Sequence, residues 1–403
     1  MAPRRPKVVH LITRLDLGGA QQNTLYCVAH HDRDRFEVGL WAGEGGILNA
    51  RAQAIPRADV RILPWLVHPI APARDVTAVV RLASMLRDVD LLHTHSSKAG
   101  ILGRAAARLA GLPGVVHTVH GWSFNDLQPA VTRRCYLEAE RAAARFTDRI
   151  VCVARSDRDR GLAYGIGHDT QYRILRSGID PSLYAAPAGA RERLRASIGA
   201  SSDDIVVGSI TNLKPQKAPL DLVEAARLAR LRDRRLIFVI AGDGELHATV
   251  SSAIARAELG RVVHLLGWRD DVPELLAAMD IFLLTSVFEG LPRVVLQAIA
   301  GGVPVVATDT GGVAEVVSHG ESGLLVPPGQ PAAAADAIVA LASDARARAR
   351  LAQAARLMLG DEFDIRRMLR DLEDLYDEVL KGGRPKSTNA TSMSHLGAPS
   401  SKH

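Results

Sequence analysis

Short apolar runs alternate along the chain with longer stretches in which apolar residues recur at helical spacing. The runs lie at residues 8–12, 36–41, 60–63, 91–93, 115–119 and 149–153, and then at 205–210, 236–241, 262–266, 281–284 and 304–307. Apolar runs of this length are typical of strands that are buried on both faces. Because helical patterns separate them, the strands are expected to be parallel and linked by crossover helices. The pattern therefore predicts an α/β protein built from βαβ units.

One of these units carries the highest concentration of candidate chemistry. A polar loop with Ser286 and Glu289 follows the apolar run at residues 281–284, and a packed helix begins at Arg293. Ligands of open α/β sheets bind outside the carboxyl ends of the strands, which is where this loop is expected. The first free amides of the helix, near Arg293 and Val294, attract phosphate. A carboxylate beside a phosphate site suits a nucleotide sugar, which has hydroxyls at one end and phosphates at the other.

The same stretch resembles a known signature. Glu289 and Gln297 stand eight positions apart, and the segment 285–308 resembles the Glu-x7-Glu motif of retaining GT-B glycosyltransferases, in particular glycosyltransferase family 4. The resemblance implies that Glu289 bonds hydroxyls of the donor sugar, that Gly290 and Leu291 belong to the donor site, and that position 297 bonds the ribose. Gln297 departs from the acidic residue of the family. Because a neutral hydrogen bond is typically worth ~0.5–1.5 kcal/mol against ~1.5–3 kcal/mol for one to a charged group, nucleotide binding is expected to be weaker or altered.

A second segment of the same half matches the family in order. After the apolar run at 205–210 the family carries an arginine and a lysine that hold the donor diphosphate. This chain has Asn212 at the first place and Lys217 at the second. Lys214 is a candidate to compensate for the missing arginine, since a flexible ammonium acts as a point charge.

A glycine-containing loop follows the next apolar run. In the resembling family the loop with Gly242 and Gly244 lies beside the nucleotide, so both are candidate donor-binding residues. The third glycine of a dinucleotide fingerprint would fall at His247, which makes NAD a poor candidate ligand. Further on, Glu315 follows a glycine pair, as it does in the family, and is expected to shape the wall of the cleft.

The first half contributes a glycine pair and a histidine. Gly18 and Gly19 stand between the first strand and the first helix, where they let backbone approach a ligand closely or simply make a tight turn. In the resembling family this loop faces donor and acceptor across the cleft. His120 follows the strand at 115–119, and the resemblance implies that it positions donor groups rather than abstracting a proton. A purely structural histidine is the alternative.

Two other features of this half are candidates for chemistry. His93 and His95 stand two positions apart, but no third ligand has helpful spacing, so no metal is expected. The helix start that contains Ser96 and Lys98 either holds an anion or is a capped N-terminus. Ser156 is predicted to be the N-cap of a later helix.

The resemblance also implies two Rossmann-like domains that face each other across a cleft. The N-terminal acceptor domain is expected at residues 1–178 and the nucleotide-sugar donor domain at 179–362. The last helical pattern, about 363–381, is expected to cross back onto the first domain. Residues 382–403 are rich in Gly, Pro, Ser, Thr and Lys and are predicted to be disordered.

Composition narrows the expected partners. The 403 residues carry a net charge of +6, which favours an anionic substrate or an anionic membrane surface. Arginines of the helical patterns at 74–87 and 129–146 form either a basic face for lipid or an ordinary solvated face. Aromatic residues are only 4% and no nucleic-acid module is visible, so nucleic acid is not expected. No apolar run is long enough for a membrane span, and three scattered cysteines without a signal peptide favour the cytoplasm.

These observations lead to one main hypothesis. The chain is expected to be a metal-independent, retaining glycosyltransferase without a cofactor, peripheral at the inner face of the plasma membrane. It would move a sugar from a UDP- or GDP-sugar to a glycan or lipid-linked acceptor in envelope or exopolysaccharide biosynthesis. A nucleotide-sugar epimerase of the same fold, which needs no acceptor, is one alternative. A degenerate nucleotide-sugar binding protein is the other, although Glu289, Lys217 and His120 argue against it.

Overall fold

The computed structural model describes residues 4–125 and 128–382. Apart from Gly382, the tail predicted to be disordered lies outside the described residues. Among the described helices, none is both long and apolar enough to cross a membrane.

Seven parallel strands form the first sheet. The strands are Lys7–Ile12 (β1), Glu37–Gly43 (β2), Ala58–Leu63 (β3), Leu91–His95 (β4), Gly114–Val119 (β5), Arg149–Cys152 (β6) and Tyr172–Ile174 (β7). The helices between them are Gly19–His30 (α1), Asn49–Gln53 (α2), Pro72–Met85 (α3), Ser97–Ala110 (α4), Ala130–Ala144 (α5) and Arg155–Ala163 (α6). The strand order β3-β2-β1-β4-β5-β6-β7 reverses direction at β1, as in a doubly wound sheet.

Six parallel strands form the second sheet. The strands are Ile205–Ile210 (β8), Leu236–Ala241 (β9), Val263–Gly267 (β10), Ile281–Leu284 (β11), Val305–Thr308 (β12) and Leu324–Val326 (β13). The helices are Ala190–Ser197 (α7), Pro219–Arg232 (α8), His247–Arg256 (α9), Val272–Ala278 (α10), Arg293–Ala300 (α11), Pro331–Ser343 (α12), Ala345–Met358 (α13) and Ile365–Gly382 (α14). The order β10-β9-β8-β11-β12-β13 repeats the winding of the first sheet. The predicted GT-B fold class, with two Rossmann-like sheets, is confirmed.

The strands are apolar at successive positions, and successive side chains of a strand point to opposite faces. Each sheet therefore buries a core on both of its faces. In β1, Val8 and Ile12 pack into one core, and Val9 and Leu11 pack into the core on the other face. Each predicted strand is present, with ends that agree to within two residues. The unpredicted strands β7 and β13 have three residues each and lie at sheet edges, and a segment this short carries little periodic signal.

The last helix returns to the first sheet, as predicted. Its apolar side chains recur at helical spacing and join the core that contains Val8 and Ile12 of β1; they are Ile365, Met368, Leu369, Leu372, Leu375, Tyr376 and Val379. The outgoing and returning segments pair on the way, since Ile179 N donates to Phe363 O at 2.8 Å and Ile365 N donates to Ile179 O at 3.0 Å. The predicted domain limits after residues 178 and 362 fall at this crossing and stay a prediction.

Gly178 makes the crossing possible. A Cβ at this position would lie 2.6 Å from both Ile365 N and Phe363 O, so the substitution Gly178→Ala must push the two segments apart. We expect it to lower the free energy of unfolding by about 1–3 kcal/mol, the usual cost of overpacking. Thermal unfolding against Gly260→Ala, whose added Cβ meets nothing within 4 Å, measures the effect. Equal midpoints for the two variants would contradict this account of the crossing.

Candidate functional site

Backbone atoms of two loops bring the carboxyl edges of the two sheets into contact. A Cβ at Gly290, in the loop after β11, would lie 2.8 Å from the carbonyl oxygen of His120, which follows β5. Gly121, at φ +113°, lies against the amide of Gly290 from the other side. The fold therefore brings His120 and the Glu289 loop together from different sheets, as the sequence predicts for a shared cleft.

Glu289 and Lys217 form an ion pair at this edge. Lys217 ends the short 3-10 helix Pro215–Lys217, and its Nζ contacts Glu289 Oε1. Ser286 Oγ donates to the same carboxylate oxygen at 2.6 Å. No partner of Glu289 Oε2 is found within residues 4–125 and 128–382, so this oxygen is available to a ligand. Glu289, the residue predicted to bind the sugar, and Lys217, the residue predicted to bind the diphosphate, therefore lie side by side.

Arg293 contributes its side chain as well as a helix start. Its Nη1 lies 3.5 Å from Gly19 O, its Nε has no hydrogen-bond partner, and burial lowers the pKa of the guanidinium. A Cβ at Gly19 would lie 3.6 Å from Arg293 Cδ, so the glycine pair and this arginine share one space. No carboxylate of the described part of the chain pairs with Arg293. Arg293 is half-buried. A partly desolvated cation without a counter-ion carries a cost, and an anionic ligand would relieve that cost.

Asn212 links the two halves instead of supplying a charge. Its Nδ2 donates to Leu17 O at 2.9 Å, just before the Gly18 turn that leads into α1. Lys214, the predicted substitute for the missing arginine, is half-buried, and burial and the charge of Lys217 lower its pKa. Arg293 therefore joins Lys214 as a second candidate for the missing cation, and sequence comparison at position 212 alone did not reveal it.

Gly242 and Gly244 are needed by the packing of the protein itself. A Cβ at Gly242 would lie 1.7 Å from Thr211 O, and one at Gly244 would lie 2.5 Å from Leu213 O. Their φ angles of +143° and +159° add to this requirement. These glycines let the loop after β9 lie directly on the loop that carries Asn212.

The remaining predicted donor-site residues lie on α11 and its approach. Gln297 is buried, and its Nε2 donates to Tyr184 OH at 2.9 Å. Leu291 lies in the core of the second sheet, and Val294 packs against that core. Their side chains support the helix start, and any contact that Leu291 or Val294 makes to a ligand would come from backbone.

One sequence prediction about a helix start was wrong. Ser156 is not an N-cap, because α6 begins at Arg155 and Ser156 Oγ has no partner. The amides of Arg155 and Ser156 donate instead to Glu315, at 3.0 and 2.9 Å. Glu315, which also pairs with Arg176 at 2.7 Å, ties the second sheet to the first. A carboxylate from the other half of the molecule thus replaces the local serine.

The start of α4 is capped from another strand as well. Thr13, just after β1, accepts through Oγ1 from Ala99 N at 2.9 Å and shares a 2.8 Å hydrogen bond with Ser96 Oγ. Lys98 pairs with Asp75 at 2.6 Å. This helix start is therefore a capped N-terminus whose lysine is already paired, and the anion-binding alternative loses its support.

Sequence reasoning missed Asp157, a buried carboxyl on α6. Its Oδ2 has no hydrogen-bond partner, and its pKa is raised to about 8 by burial and by the nearby charges of Glu315 and Glu289. Helix-start aspartates are usually exposed and ionised, so the sequence carried no signal for this state. The missed His10 lies beside His93 in the β1–β4 register, which spacing along the chain cannot reveal.

Two family models match the chain, one on each half. The model described as Glycosyltransferase Family 4 matches residues 17–183, and the model described as Glycosyl transferases group 1 matches residues 190–358. A relative in Escherichia coli, UDP-Gal:alpha-D-GlcNAc-diphosphoundecaprenol alpha-1,3-galactosyltransferase, is 29% identical over 381 residues, which are 93% of this chain and 97% of that enzyme.

Solved structures show the same architecture over nearly the whole chain. Anabaena HepE in complex with UDP and glucose has a TM-score of 0.80 at 25% identity, covering 93% of this chain and 100% of HepE. WaaG, a glycosyltransferase involved in lipopolysaccharide biosynthesis, shares the fold with a TM-score of 0.75 at 16% identity, covering 92% and 99%. The two facing sheets and these matches define a GT-B glycosyltransferase. The chain belongs to glycosyltransferase family 4.

The raised pKa of Asp157 predicts an unusual pH dependence. The folded protein holds this proton up to pH about 8, whereas the unfolded chain releases it near 3.8. The stabilising contribution is therefore complete at low pH and is lost as pH rises towards 8, by up to ~1.4 kcal/mol per pH unit. Asp157→Asn, which cannot ionise, is expected to match the wild type near pH 4 and to be more stable at pH 8. Thermal unfolding across this range, with the exposed Asp159→Asn as control, checks the prediction, and parallel curves would contradict it.

Proposed function

We propose that the protein is a retaining, metal-independent glycosyltransferase that moves a sugar from a UDP-sugar to a lipid-linked acceptor. The observation that carries the proposal is the grouping of Arg293, Lys217 and Glu289 at the facing edges of the two sheets. The name of the E. coli relative, which specifies UDP-Gal and a diphosphoundecaprenol-linked sugar, supports this donor and acceptor class. HepE, crystallised with UDP and glucose, supports the same nucleotide.

We assign the donor diphosphate to Arg293, Lys217 and the first amides of α11. A guanidinium suits phosphate because its planar fork donates two parallel hydrogen bonds. The helix dipole of α11 adds a positive end at the same position. Binding there would give Arg293 the counter-ion that it lacks in the described part of the chain.

The donor sugar is assigned between Glu289 and His120. Glu289 Oε1 is held by Lys217 and Ser286, which leaves Oε2 to accept from sugar hydroxyls. His120 faces the same loop across the Gly290 contact. Gln297 donates to Tyr184 and so has its amide oxygen left for the ribose, the role that the family assigns to this position.

The assigned residues support transfer with retention of configuration. The bond between the anomeric carbon and the diphosphate oxygen breaks while the acceptor oxygen bonds to the same face of the sugar. The departing phosphate oxygen takes the acceptor proton, so no side chain has to act as a base. Lys217 and Arg293 stabilise the negative charge that develops on the diphosphate, the kind of electrostatic help that usually contributes most to catalysis. Burial and Arg293 lower the pKa of His120 to about 4, which keeps it neutral in this step.

The surface of the first sheet supports peripheral attachment to an anionic membrane. Helix α4 packs against both α3 and α5, so the three helices lie on the same face of the sheet. The exposed apolar side chains Val76 and Val80 of α3 and Val131 of α5 stand among exposed arginines. Apolar residues flanked by arginines suit the interface of an anionic bilayer, where a lipid-linked acceptor would be presented.

Nucleotide binding gives the first test. UDP at a hundred times its dissociation constant is expected to stabilise the protein by ~2.7 kcal/mol, whereas GDP and ADP should shift the thermal midpoint less. Arg293→Gln is expected to reduce the UDP shift, because it removes a cation assigned to the diphosphate. Arg350→Gln, which changes an exposed arginine of α13, serves as the control. No shift with any nucleotide would count against the donor assignment.

Catalysis gives the second test. Glu289→Ala is expected to lower transfer at least a hundredfold by removing the carboxylate assigned to the sugar, the scale seen when one preorganised group is lost. The same variant should still be stabilised by UDP, because the diphosphate contacts remain. The exposed Glu321→Ala should transfer normally. Release of free isomerised sugar without acceptor would identify an epimerase instead. Near-normal transfer by Glu289→Ala would contradict the assignment of the site.

A further inference from the structure

Five side chains form a continuous series of hydrogen bonds from the last helix to the cleft, here called the histidine network. Glu373 Oε1 lies 3.0 Å from His31 Nδ1, and His31 Nε2 lies 3.0 Å from His10 Nε2. His10 Nδ1 lies 3.0 Å from His95 Nε2, and His95 Nδ1 lies 3.2 Å from His120 Nε2. Within these five residues, the ring nitrogen left over is Nδ1 of His120, at the cleft end.

The parallel register of the first sheet lines the rings up. β1 pairs His10 with His93 of β4, and His95 lies two residues further along the same strand. His120 directly follows β5, which is the next strand of the sheet. The carboxylate at the far end comes from α14, so the returning helix supplies one end of the network and the cleft the other.

The carboxylate sets the direction of the hydrogen bonds. Glu373 also accepts from the amide of Asp32 at 2.8 Å and from Arg35 at 3.3 Å. Burial opposes its ionisation, but the hydrogen bonds from His31 and Asp32 and the charge of Arg35 prevail and lower the pKa of Glu373. A carboxylate can only accept, so His31 donates through Nδ1 and accepts through Nε2.

Each neutral ring donates from one nitrogen and accepts at the other, so the direction set by Glu373 continues along the network. His10 donates from Nε2 and accepts at Nδ1, His95 does the same, and His120 therefore donates from Nε2. The contacts of Tyr376 are compatible with this direction. Its OH lies 3.4 Å from His10 Nε2 and 2.5 Å from His93 Nδ1, and a hydroxyl can accept from the first nitrogen while it donates to the second.

The surroundings keep these rings neutral. Burial lowers the pKa of His10 and His95 well below the usual value, and neighbouring histidines lower it further. For His31, burial outweighs the opposing effect of the carboxylate, and for His120 the pKa is about 4. The other charged or titratable groups that face the network are Arg33, Arg35, Arg293, Cys27, His93, His117 and Tyr376.

We propose that Glu373, acting through His31, His10 and His95, holds His120 in the tautomer that donates from Nε2 and presents the Nδ1 lone pair to the cleft. Glu373 is then a positioning residue, comparable to the carboxylates that fix metal-bound or catalytic histidines through their second nitrogen. The lone pair accepts a hydrogen bond from a donor-sugar hydroxyl, whereas the opposite tautomer would offer an N–H. The identity of this ligand rests on the proposed function, but the tautomer does not.

A metal ion is the competing explanation for the clustered histidines. Ligand nitrogens of His10, His93 and His95 lie within 4.8 Å of one another. However, the nitrogens of His93 lie 2.5 Å from Tyr376 OH and 2.7 Å from Thr118 Oγ1. A cation would have to break one of these hydrogen bonds and also the bond between His10 and His95. The observed geometry favours the hydrogen-bonded network over a preformed metal site.

Nitrogen NMR of protein labelled with 15N in its histidine rings tests the proposal directly. Protonated and unprotonated ring nitrogens have well separated shifts, and the spectrum of His120→Ala assigns the signals of His120. In the wild type near neutral pH, Nδ1 of His120 is expected to be unprotonated and Nε2 protonated. The measurement needs no donor, so it is independent of the proposed function.

Variants of the carboxylate test its control over the cleft. Glu373→Met removes the acceptor, so the network can run in either direction and part of the His120 population carries its proton on Nδ1. The kcat for transfer is expected to fall roughly five- to tenfold, as for the loss of one hydrogen bond. Glu373→Gln keeps an oxygen that accepts from His31 and should restore both readouts. Glu378→Met, an exposed carboxylate on the same helix, should change neither.

The outcomes separate the explanations. A wild-type His120 protonated at Nδ1 would overturn the proposal, and this spectrum decides the question even where Glu373→Met fails to fold. Unchanged ring signals and rates in a folded Glu373→Met would overturn it as well, as would stoichiometric zinc that is lost in His93→Ala. The expected tautomer in a protein that transfers no sugar would leave the network standing and count against the proposed function instead.

Discussion

The backbone contact between Gly290 and His120 is the constraint on which the rest of the site depends. Because a Cβ at Gly290 would lie 2.8 Å from the His120 carbonyl, only glycine lets the two sheet edges come this close. The contact brings a histidine of one domain to the carboxylate loop of the other, and it is reinforced on one side by Glu315 at the start of α6 and on the other by Asn212 at the glycine turn. Contacts between loops and helix ends thus hold together a cleft that is assembled from two domains.

The cleft contains titratable groups that have no counter-charge paired with them in the described part of the chain. In contrast, Arg104 is buried in an ion pair with Glu140 at 2.5 Å. At the junction of the sheets, Arg293 is half-buried with no carboxylate partner in the described residues, and burial together with the charges of Glu315 and Glu289 raises the pKa of Asp157 to about 8. Groups of this kind cost stability unless something compensates them. For Arg293, the anionic ligand of the proposed function would supply that compensation.

Most of the fold could be predicted from the sequence, because buried strands and amphipathic helices produce a local periodicity of apolar residues. The family motif likewise located Glu289 and Lys217, which lie on short loops whose positions follow from the strands. What failed were interactions between residues that are distant in the chain. Ser156 is a good local cap, yet Glu315 takes that role, and His10 becomes a neighbour of His93 only through strand register. Local sequence carries no record of such pairs, so the network behind His120 could not be predicted, nor could the tie between the two halves.

The two departures from the family motif gain a physical meaning from these long-range contacts. Asn212 replaces an arginine, but its amide joins the second sheet to Leu17 of the first, and the guanidinium of Arg293 contacts the same turn at Gly19. Under the proposed function, Arg293 would supply the positive charge that Asn212 does not. Gln297 replaces a glutamate, and its Nε2 donates a hydrogen bond to Tyr184 OH. An ionised carboxylate at this position could accept from the hydroxyl but could not donate to it. Both substituted side chains make specific hydrogen bonds in the folded protein, which fits the proposed donor site better than a degenerate one.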